Sequence, residues 1–401
     1  RRIALCWLGS VRLHLIDTVS FEHNTLLKVA VIGAGVSGLS VASLLAAAGH
    51  EVSVFEKNQK ISEIGAGIQI SPNGFCVLKE LGLSESIIKN SVHNNSILIC
   101  DYYKGKKLLQ FDQKSILGNK DFRLLHRADL VKILYRSALS NKVTFNLGHS
   151  ADAKSLSGKY SFVIAADGVH SKTRALLNPI QNTNRKTNYF AWRTIVPIKN
   201  THHNGVRLTV APNKHIVSYP IRGRDQLNLV LIKEAENNET FDWGMTESSE
   251  EIKYLFSEFG GDLKQALESI TTVHKWGLSS HDIPVNWTAG NIFLIGDALH
   301  PMLPFLAQGA NSALEDAFVL AKLITFLDAS EAADKYLEIR KPRLLRLMKQ
   351  IKNNAWKFHL EHSFFRACTH SGLRFLDKSF PKSPSLPFRW LYNYDVTKLN
   401  I

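Results

Sequence analysis

The sequence predicts an α/β protein in which a parallel sheet is joined to an antiparallel sheet and to C-terminal helices. Four short apolar runs have the length and β-branched content of buried parallel strands: residues 28–33, 51–55, 162–166 and 292–295. Residues 187–233 instead alternate between apolar and polar side chains, with turn residues between the runs, which indicates antiparallel strands. From Asn311 onward the pattern is mostly helical.

The first two apolar runs belong to a β-α-β unit. Lys28 to Gly33 (KVAVIG) is followed by a predicted helix over 36–48, which is rich in Ala, Leu and Ser and stops at Gly49. The second strand covers Glu51 to Phe55 and ends at Glu56. A unit of this kind implies a parallel sheet with a right-handed crossover.

Helical patterns recur later in the chain. They cover residues 123–139, with an apolar stripe of Leu130, Ile133, Leu134 and Leu139, then residues 247–269, and the segment after Asn311. In the last segment we expect two long helices, with breaks near Asp328 to Glu331 and at Pro342.

The length and the charge limit the possible classes. A chain of 401 residues is long enough for two domains with two or three packed layers. The formal charge of +14 indicates either solvated basic surfaces or an anionic partner. Because the basic residues are dispersed and are densest between Arg340 and Lys357, we favour a solvated basic helix face and no nucleic acid partner. Transient contact with an anionic membrane surface is the alternative.

Neither a spanning helix nor a metal site is expected. No apolar stretch reaches the roughly 18 to 20 residues that a transmembrane helix needs. Four cysteines lie far apart, without a CxxC pair or a histidine cluster: Cys6, Cys76, Cys100 and Cys368. Reduced thiols in a cytoplasmic protein are the simplest interpretation.

Residues 1–27 precede the first strand. Residues 1–16 faintly resemble a signal peptide, with two arginines and an apolar run, but Arg12 and His14 interrupt that run. We expect residues 1–27 to be a poorly ordered extension or the result of a misplaced start, with a targeting peptide as the alternative.

A glycine motif follows the first strand. Gly33, Gly35 and Gly38 form GxGxxG at the start of the first helix, and Glu56 lies 18 residues after the last glycine, at the end of the next strand. This spacing predicts a dinucleotide site, with free N–H groups at the helix start for a pyrophosphate and a carboxylate for the ribose hydroxyls. The motif alone does not distinguish FAD from NAD.

Four further segments carry a family resemblance: Glu63 to Gly74, Leu125 to Leu130, Ala166 to Arg174 and Gly296 to Ala317. With the glycine motif and in this order, they resemble the single-component FAD-dependent aromatic hydroxylases, a flavoprotein monooxygenase family, and most of all its salicylate hydroxylases. The resemblance runs from about Lys28 to Asp395, with mild departures at Leu299 and Ser312.

The resemblance implies a Rossmann-like FAD-binding domain over 28–180 and 288–401, with the C-terminal helices, and a substrate domain over 181–287. Asp297 is expected to bind a ribityl hydroxyl, and the helix start at Gly309 is expected to face the flavin pyrimidine edge. The segment that contains Asp167 and Arg174 is associated with FAD and with the pyridine nucleotide. The cofactor-binding residues implied are Gly33, Gly35, Gly38, Glu56, Lys57, Gly67, Arg127, Asp167, Asp297, Gly309, Ala310 and Asn311.

The implied reaction is the hydroxylation of an aromatic ring. In the family, NAD(P)H reduces FAD, O2 forms a flavin C4a-hydroperoxide, and this species attacks an electron-rich ring. NAD(P)H is expected to meet the flavin transiently, since no second GxGxxG unit is present. Pro304 is expected to line the flavin ring.

The substrate is expected to lie against the sheet of residues 187–233. His215 and Tyr219 share one face of a strand, so either could orient or deprotonate a phenol. Arg193 or Arg222 could bind a substrate carboxylate. For all four residues a structural or surface role is the alternative.

The leading hypothesis is a hydroxylase of a phenolic, salicylate-like substrate, acting as a monomer or a homodimer. One alternative is a hydroxylase of a ubiquinone precursor, which the basic surface favours slightly. Another is a flavoprotein reductase or oxidase on the same scaffold. A third, from a different class, is a lipid-binding chaperone of small GTPases that does not use flavin.

Overall fold

The computed structural model describes residues 26–61, 66–112, 117–118, 120–180, 185–197, 204–235, 248–280, 282–380 and 387–401. Most of the expected N-terminal extension, including Cys6, lies outside these ranges, as do Glu63 and its two following residues. Within these ranges Cys76, Cys100 and Cys368 are free thiols.

The strands of the described residues are β1 (Lys28–Ile32), β2 (Glu51–Glu56), β3 (Gly67–Ile70), β4 (Ser91–His93), β5 (Ser96–Asp101), β6 (Lys107–Asp112), β7 (Arg123–His126), β8 (Thr144–Leu147), β9 (Phe162–Ala165), β10 (Arg185–Pro197), β11 (Val206–Ala211), β12 (Lys214–Ile221), β13 (Gln226–Glu234), β14 (His274–Ser280), β15 (Thr288–Ala289) and β16 (Ile292–Leu294).

The helices are α1 (Val36–Ala47), α2 (Pro72–Glu80), α3 (Ser84–Lys89), α4 (Arg127–Ser140), α5 (Ala153–Ser157), α6 (Lys172–Leu177), α7 (Ser249–Leu255), α8 (Asp262–Glu268), α9 (Gly309–Phe326), α10 (Ala329–Phe358), α11 (Ser363–Ser379) and α12 (Arg389–Tyr392). Among the described helices, none has both the length and the hydropathy needed to cross a bilayer.

The parallel sheet has the strand order β15-β16-β9-β1-β2-β8. Its strands run parallel except for β15, which pairs antiparallel with β16. The predicted strands near residues 28, 51, 162 and 292 all lie in this sheet, and β1 and β9 are almost wholly buried because their side chains are apolar on both faces. The predicted β-α-β unit is therefore confirmed.

The antiparallel sheet has the strand order β14-β10-β13-β12-β11-β5-β6, with one parallel pairing between β11 and β5. The prediction of antiparallel strands over 187–233 is confirmed. Strands β5 and β6, which lie between residues 96 and 112, belong to the same sheet. The sheet therefore contains strands from before and from after residue 180, where a domain boundary was expected. The assignment of domains stays a prediction.

The two faces of this sheet have different surroundings. Phe190, Trp192 and Leu229 lie on one face and pack with Phe256 and Leu263 of the α7–α8 region. By strand alternation, His215, Tyr219 and Ile232 lie on the opposite face. That opposite face contacts the segment around Phe305 and the end of α10.

Two helix predictions need correction. The helix expected over 123–139 begins at Arg127, because residues 123–126 form β7 and pair with β3 and β4. Leu139, placed in its apolar stripe, is 47% exposed. The expected break near Asp328 is confirmed, since its carboxylate caps α10. The break expected at Pro342 is wrong: α10 continues through it, and this proline lies on the solvated side of the helix.

A buried ionic network joins α9 to α10. Arg340 Nε donates to Asp316 Oδ1 at 2.7 Å and its Nη1 to Glu315 Oε2 at 2.6 Å. Arg343 donates to both oxygens of Glu315, each at 2.7 Å. Burial opposes ionisation of both carboxyls, but Arg343 and Arg340 lower the pKa of Glu315, and His300 and Arg340 lower the pKa of Asp316 to about 2.

The same carboxylates hold two loops. Asn73 Nδ2 donates to Glu315 Oε1 at 2.7 Å, which fixes the start of α2. Asp316 Oδ2 accepts the N–H of Gly296 at 3.0 Å and contacts His300 Nε2, which fixes the turn after β16. The network therefore positions segments that come from widely separated parts of the sequence.

The expectation of a solvated basic face between Arg340 and Lys357 is wrong for two of its arginines. Arg340 and Arg343 are 0% and 8% exposed because the buried carboxylates of α9 attract them inward. Lys341, between them, is exposed. Helical geometry thus separates buried charges from solvated ones within a single basic run.

We predict that Arg340→Met strongly destabilises the protein near pH 7, by about 3 to 5 kcal/mol, because it leaves buried carboxylates without their partner. The lowered pKa of Asp316 means that the wild-type contribution is present above about pH 4 and is lost as the pH falls toward about 2. The deficit should therefore shrink in acid. Urea unfolding at several pH values measures it.

Lys341→Met is the matched control on the same helix, because its exposed side chain should change the free energy of unfolding by no more than about 0.5 kcal/mol. Equal effects of the two substitutions would contradict the structural role given to Arg340.

Candidate FAD-binding and substrate site

A cleft of about 380 Å³ opens at the carboxyl ends of β1, β2 and β9. Five of the residues predicted to bind the cofactor line it: Gly33, Gly35, Glu56, Lys57 and Asp167. The carboxyl edge of a parallel sheet is where such folds bind their ligands, since the helix N-termini point there.

The three motif glycines meet different surroundings. Gly33 has a φ of +101°, and a Cβ there would overlap the carbonyl oxygen of Ala166. A Cβ on Gly38 would overlap the carbonyl oxygen of Gly33, so this position lets helix and strand pack closely. A Cβ on Gly35 would meet no atom within 4 Å, although this residue lines the cleft at the start of α1. Gly35 therefore leaves room for a ligand rather than for protein.

Two carboxylates stand on the wall of the cleft. Glu56 accepts the N–H of Ala34 and that of Asn58, each at 2.9 Å, so its carboxylate is held rigidly. Asp167 Oδ2 accepts from the backbone and the hydroxyl of Thr173, whereas its buried Oδ1 has no hydrogen-bond partner in the described chain. Asp167 Oδ1 can therefore accept a hydrogen bond from a ligand, and Gly35 in the same cleft leaves room for one. A ligand with hydroxyl donors and phosphates fits these features, and the adenosine and pyrophosphate parts of FAD supply both.

Arg174 joins the Asp167 segment to the Asp297 segment. Its guanidinium donates to the carbonyl oxygens of Asp297 and Ala298, at 3.2 and 2.9 Å, and also to Val169. Burial lowers the pKa of Arg174, and the charges of Asp167 and Asp297 oppose that shift. The structure thus gives Arg174 a positioning role between two segments of the site.

The start of α9 carries three predicted residues. Asn311 uses its side chain within the protein, accepting from Ser71 N at 3.0 Å and donating to Gln69 and Ala307. The N–H groups of the first helical turn, which includes Gly309 and Ala310, have no partner inside a helix and can face a ligand. The Asp297 carboxylate lies beside this turn, 3.9 Å from the position of a Cβ on Gly309.

Gly67 and Arg127 lie where the small β3-β7-β4 sheet meets the rest of the molecule. The N–H of Gly67 donates to Asn228 Oδ1 at 2.6 Å, and a Cβ here would collide with Asn228 and Tyr219. Arg127 begins α4, and its N–H donates to Ala66 O at 2.8 Å. Gly67 therefore packs closely against the antiparallel sheet. The binding of FAD by Gly67 and Arg127 stays a prediction.

The substrate-side predictions meet on one face of the antiparallel sheet. His215 is 1% exposed, and its ring centre is 5.4 Å from that of Phe305, the residue after Pro304. Tyr219 is buried on the same strand face, where burial raises its pKa and the charge of Arg193 opposes the shift. His215 thus lies beside the segment that starts at Pro304, and Arg193 and Tyr219 lie further along the same sheet face.

Arg222 has a different environment. Its Nε donates to Asp129 Oδ2 of α4 at 3.2 Å, and the arginine side chain is 44% exposed. It also has a positive φ of 48°, in the turn between β12 and β13. Of the two arginines predicted to bind a carboxylate, only Arg193 lies on the strand face that carries His215.

Sequence reasoning did not find two residues that support this site. His359, the C-cap of α10, places its Nε2 2.6 Å from His215 Nδ1. Asn228 of β13 binds Gly67. Neither belongs to a motif, and each contact joins residues more than 140 positions apart, so no local signal was available.

We predict that Gly35→Ala and Gly38→Ala separate ligand binding from folding. Gly35→Ala should weaken FAD binding at least about tenfold, because the methyl group occupies the approach to the pyrophosphate, with little change in apoprotein stability. Gly38→Ala should instead lower the free energy of unfolding by about 1 to 3 kcal/mol through overpacking. Flavin fluorescence titration and thermal unfolding measure the two effects.

Gly158→Ala, at an open position with a φ of −82°, is the control and should change neither quantity. An unaltered FAD affinity in Gly35→Ala would remove this glycine from the site.

Comparison with known proteins agrees with this geometry. Residues 26–351 match the FAD binding domain family. A 3-amino-4-hydroxybenzoate 2-monooxygenase of Streptomyces cremeus is 31% identical over 364 residues, which cover 83% of this chain and 88% of that relative. A 3-hydroxybenzoate 6-hydroxylase of Klebsiella oxytoca is 28% identical over 85% of this chain and 95% of its own length.

A solved salicylate hydroxylase substrate complex shares the fold, with a TM-score of 0.74 at 21% identity over 93% of this chain and 96% of that one. The match to the family over most of the chain and the identity to the Streptomyces relative together show that this chain belongs to the FAD-binding domain family of flavoprotein monooxygenases, with FAD as its cofactor.

Proposed function

We propose that this chain hydroxylates a small phenolic substrate that carries a carboxylate, using FAD, NAD(P)H and O2. The observation that supports this most is that His215, Tyr219 and Arg193 share one sheet face, where His215 lies beside Phe305 in the segment that leads into the helix start at Gly309. Two relatives are named for hydroxybenzoate substrates, which contain both a phenol and a carboxylate.

The chain's own groups hold the cofactor and set its electrostatics. Bound FAD, once reduced by NAD(P)H, supplies the activated oxygen. Glu56 and Asp167 would bind its hydroxyls, and the open backbone at Gly35 would bind its pyrophosphate. The N-terminus of α9, at Gly309 and Ala310, would face the flavin and stabilise negative charge on the reduced ring. Lys57, Arg127 and Asp297 are the remaining residues that we propose to bind FAD.

The sheet face would prepare the phenol. A phenolate is a better nucleophile than a phenol, so a base near the hydroxyl accelerates attack. His215 would accept that proton, and Tyr219, whose pKa is raised by burial, would remain a neutral hydrogen-bond donor. Arg193 would bind the carboxylate through a charge-assisted hydrogen bond. Pro304 would close the flavin side of the substrate.

A hydroxylase of a membrane-borne quinone precursor is the second candidate. Helix α11 exposes Phe364, Phe365 and Phe375, at 66%, 63% and 63%, with Arg374 and Lys378 also exposed along it. An exposed apolar face with basic residues suits transient contact with an anionic membrane. Flotation with anionic and with neutral vesicles tests this candidate, and no binding to either would eliminate it.

We predict that a panel of phenols will identify carboxylated phenols as substrates that stimulate NAD(P)H oxidation and give hydroxylated product. Arg193→Gln should raise the KM for carboxylated phenols by about 10- to 100-fold, the cost of losing a hydrogen bond to a charged group, and should affect uncharged phenols much less. Steady-state kinetics with product analysis measures this.

Arg222→Gln is the matched variant, since its partner is Asp129 at the surface, and it should leave KM within about twofold. The reverse ranking of the two arginines would transfer the carboxylate site to Arg222. Peroxide as the sole product with every phenol would favour an oxidase and refute the hydroxylase.

A further inference from the structure

We propose that His359 and Glu234 form a proton exit that connects His215 to solvent, so that His359 is a positioning and relay residue for the phenol chemistry. This inference rests on the proposed function, because it needs a substrate proton to carry. His215 Nδ1 lies 2.6 Å from His359 Nε2, and His359 Nδ1 lies 3.8 Å from Glu234 Oε2.

The three groups form a path from the interior to the surface. His215 in β12 is 1% exposed, and His359 at the end of α10 is 5% exposed. The side chain of Glu234, at the end of β13, is 38% exposed. Three different elements thus place side chains in order of increasing contact with water.

Aromatic rings surround the histidine pair. The ring centre of Phe305 is 5.4 Å from that of His215, and Phe358 is 5.5 Å away on another side. The ring centre of Tyr189 is 5.3 Å from that of His359, with the two rings tilted relative to each other. Because the two phenylalanine rings around His215 cannot accept a proton, a proton that reaches His215 Nε2 is best removed through its other ring nitrogen.

The transfer balances without any added reactant. The phenol O–H bond breaks as His215 Nε2–H forms. His215 then gives its Nδ1 proton to His359 Nε2, and His359 gives its Nδ1 proton to Glu234. Each histidine ends neutral in its other tautomer, and the carboxylic acid of Glu234 releases the proton to water. His359 Nδ1 has no hydrogen-bond partner within the described residues, so the last transfer requires the partly exposed Glu234 side chain to close the 3.8 Å separation.

The protonation states suit a shuttle. Burial, and then the neighbouring His359, lower the pKa of His215 well below its usual value, and burial lowers that of His359 to about 4, so the resting pair is neutral near pH 7. Burial and the nearby Glu361 raise the pKa of Glu234. Tyr189, a further titratable group beside His359, has a pKa raised by burial and by Glu234.

The decisive test compares His359→Gln with the wild-type holoenzyme on two phenols. With a phenol that is protonated at the assay pH, the hydroxylation rate should fall about 100-fold or more, since proton transfer contributes on this order. With an analogue whose phenol is already ionised, the variant should recover to within about threefold. Reduction of FAD by NAD(P)H, followed by absorbance, should not change.

Glu234→Gln is the second variant. Because the Glu234 side chain is 38% exposed, this substitution should change the free energy of unfolding little. It should slow only the protonated phenol, and a small buffer acid–base pair should restore the rate. Glu258→Gln, which removes a surface carboxylate paired with Lys214, is the matched control and should behave as wild type.

The outcomes separate the two proposals. If the wild type hydroxylates no phenol, the proposed function fails and the relay fails with it. If the wild type is active but both variants match it on the protonated phenol at every pH, only the relay is overturned. Equal losses on both phenols would assign His359 a packing role and would also overturn the relay.

Discussion

The ionic network around Arg340 is the constraint on which the flavin side of the molecule depends. One guanidinium binds Glu315 and Asp316 of α9, and those carboxylates in turn hold Asn73 and the backbone of Gly296. The helix start that would face the flavin and the turn that presents Asp297 are therefore fixed relative to each other by charges with no exposed surface. Losing one partner leaves the others uncompensated, so the assembly is cooperative.

The cleft at the glycine motif was predictable because its signals are local. Gly33, Gly35 and Gly38 lie in one turn, and Glu56 follows at a spacing set by one helix and one strand. The network behind it was not predictable, since Arg340 and Glu315 are 25 residues apart. In the sequence, Arg340 belongs to the pattern of a basic helix face, and Glu315 belongs to that of an ordinary helix. Only tertiary packing shows that Arg340 points into the interior.

The substrate half was predictable only in part. Strand alternation correctly placed His215 and Tyr219 on one face, because a period of two needs no long-range information. The contacts that each of these side chains makes depend on residues that are far away in the sequence. His359 lies 144 positions after His215 in the sequence, and the partner of Arg222 comes from α4, so neither contact could be inferred from the pattern around the strand.

The two halves also differ in how they respond to protons. Around Arg340, opposite charges shift the pKa of Asp316 to about 2 and raise that of the arginine, so these groups keep fixed charges across the working range. Along the sheet face, burial shifts His215 and His359 toward their neutral forms. Near neutral pH the frame that would hold FAD therefore keeps its charges and the histidine pair stays uncharged, so a pH dependence of the proposed reaction should arise from the substrate phenol and from Glu234, whose pKa is raised by burial.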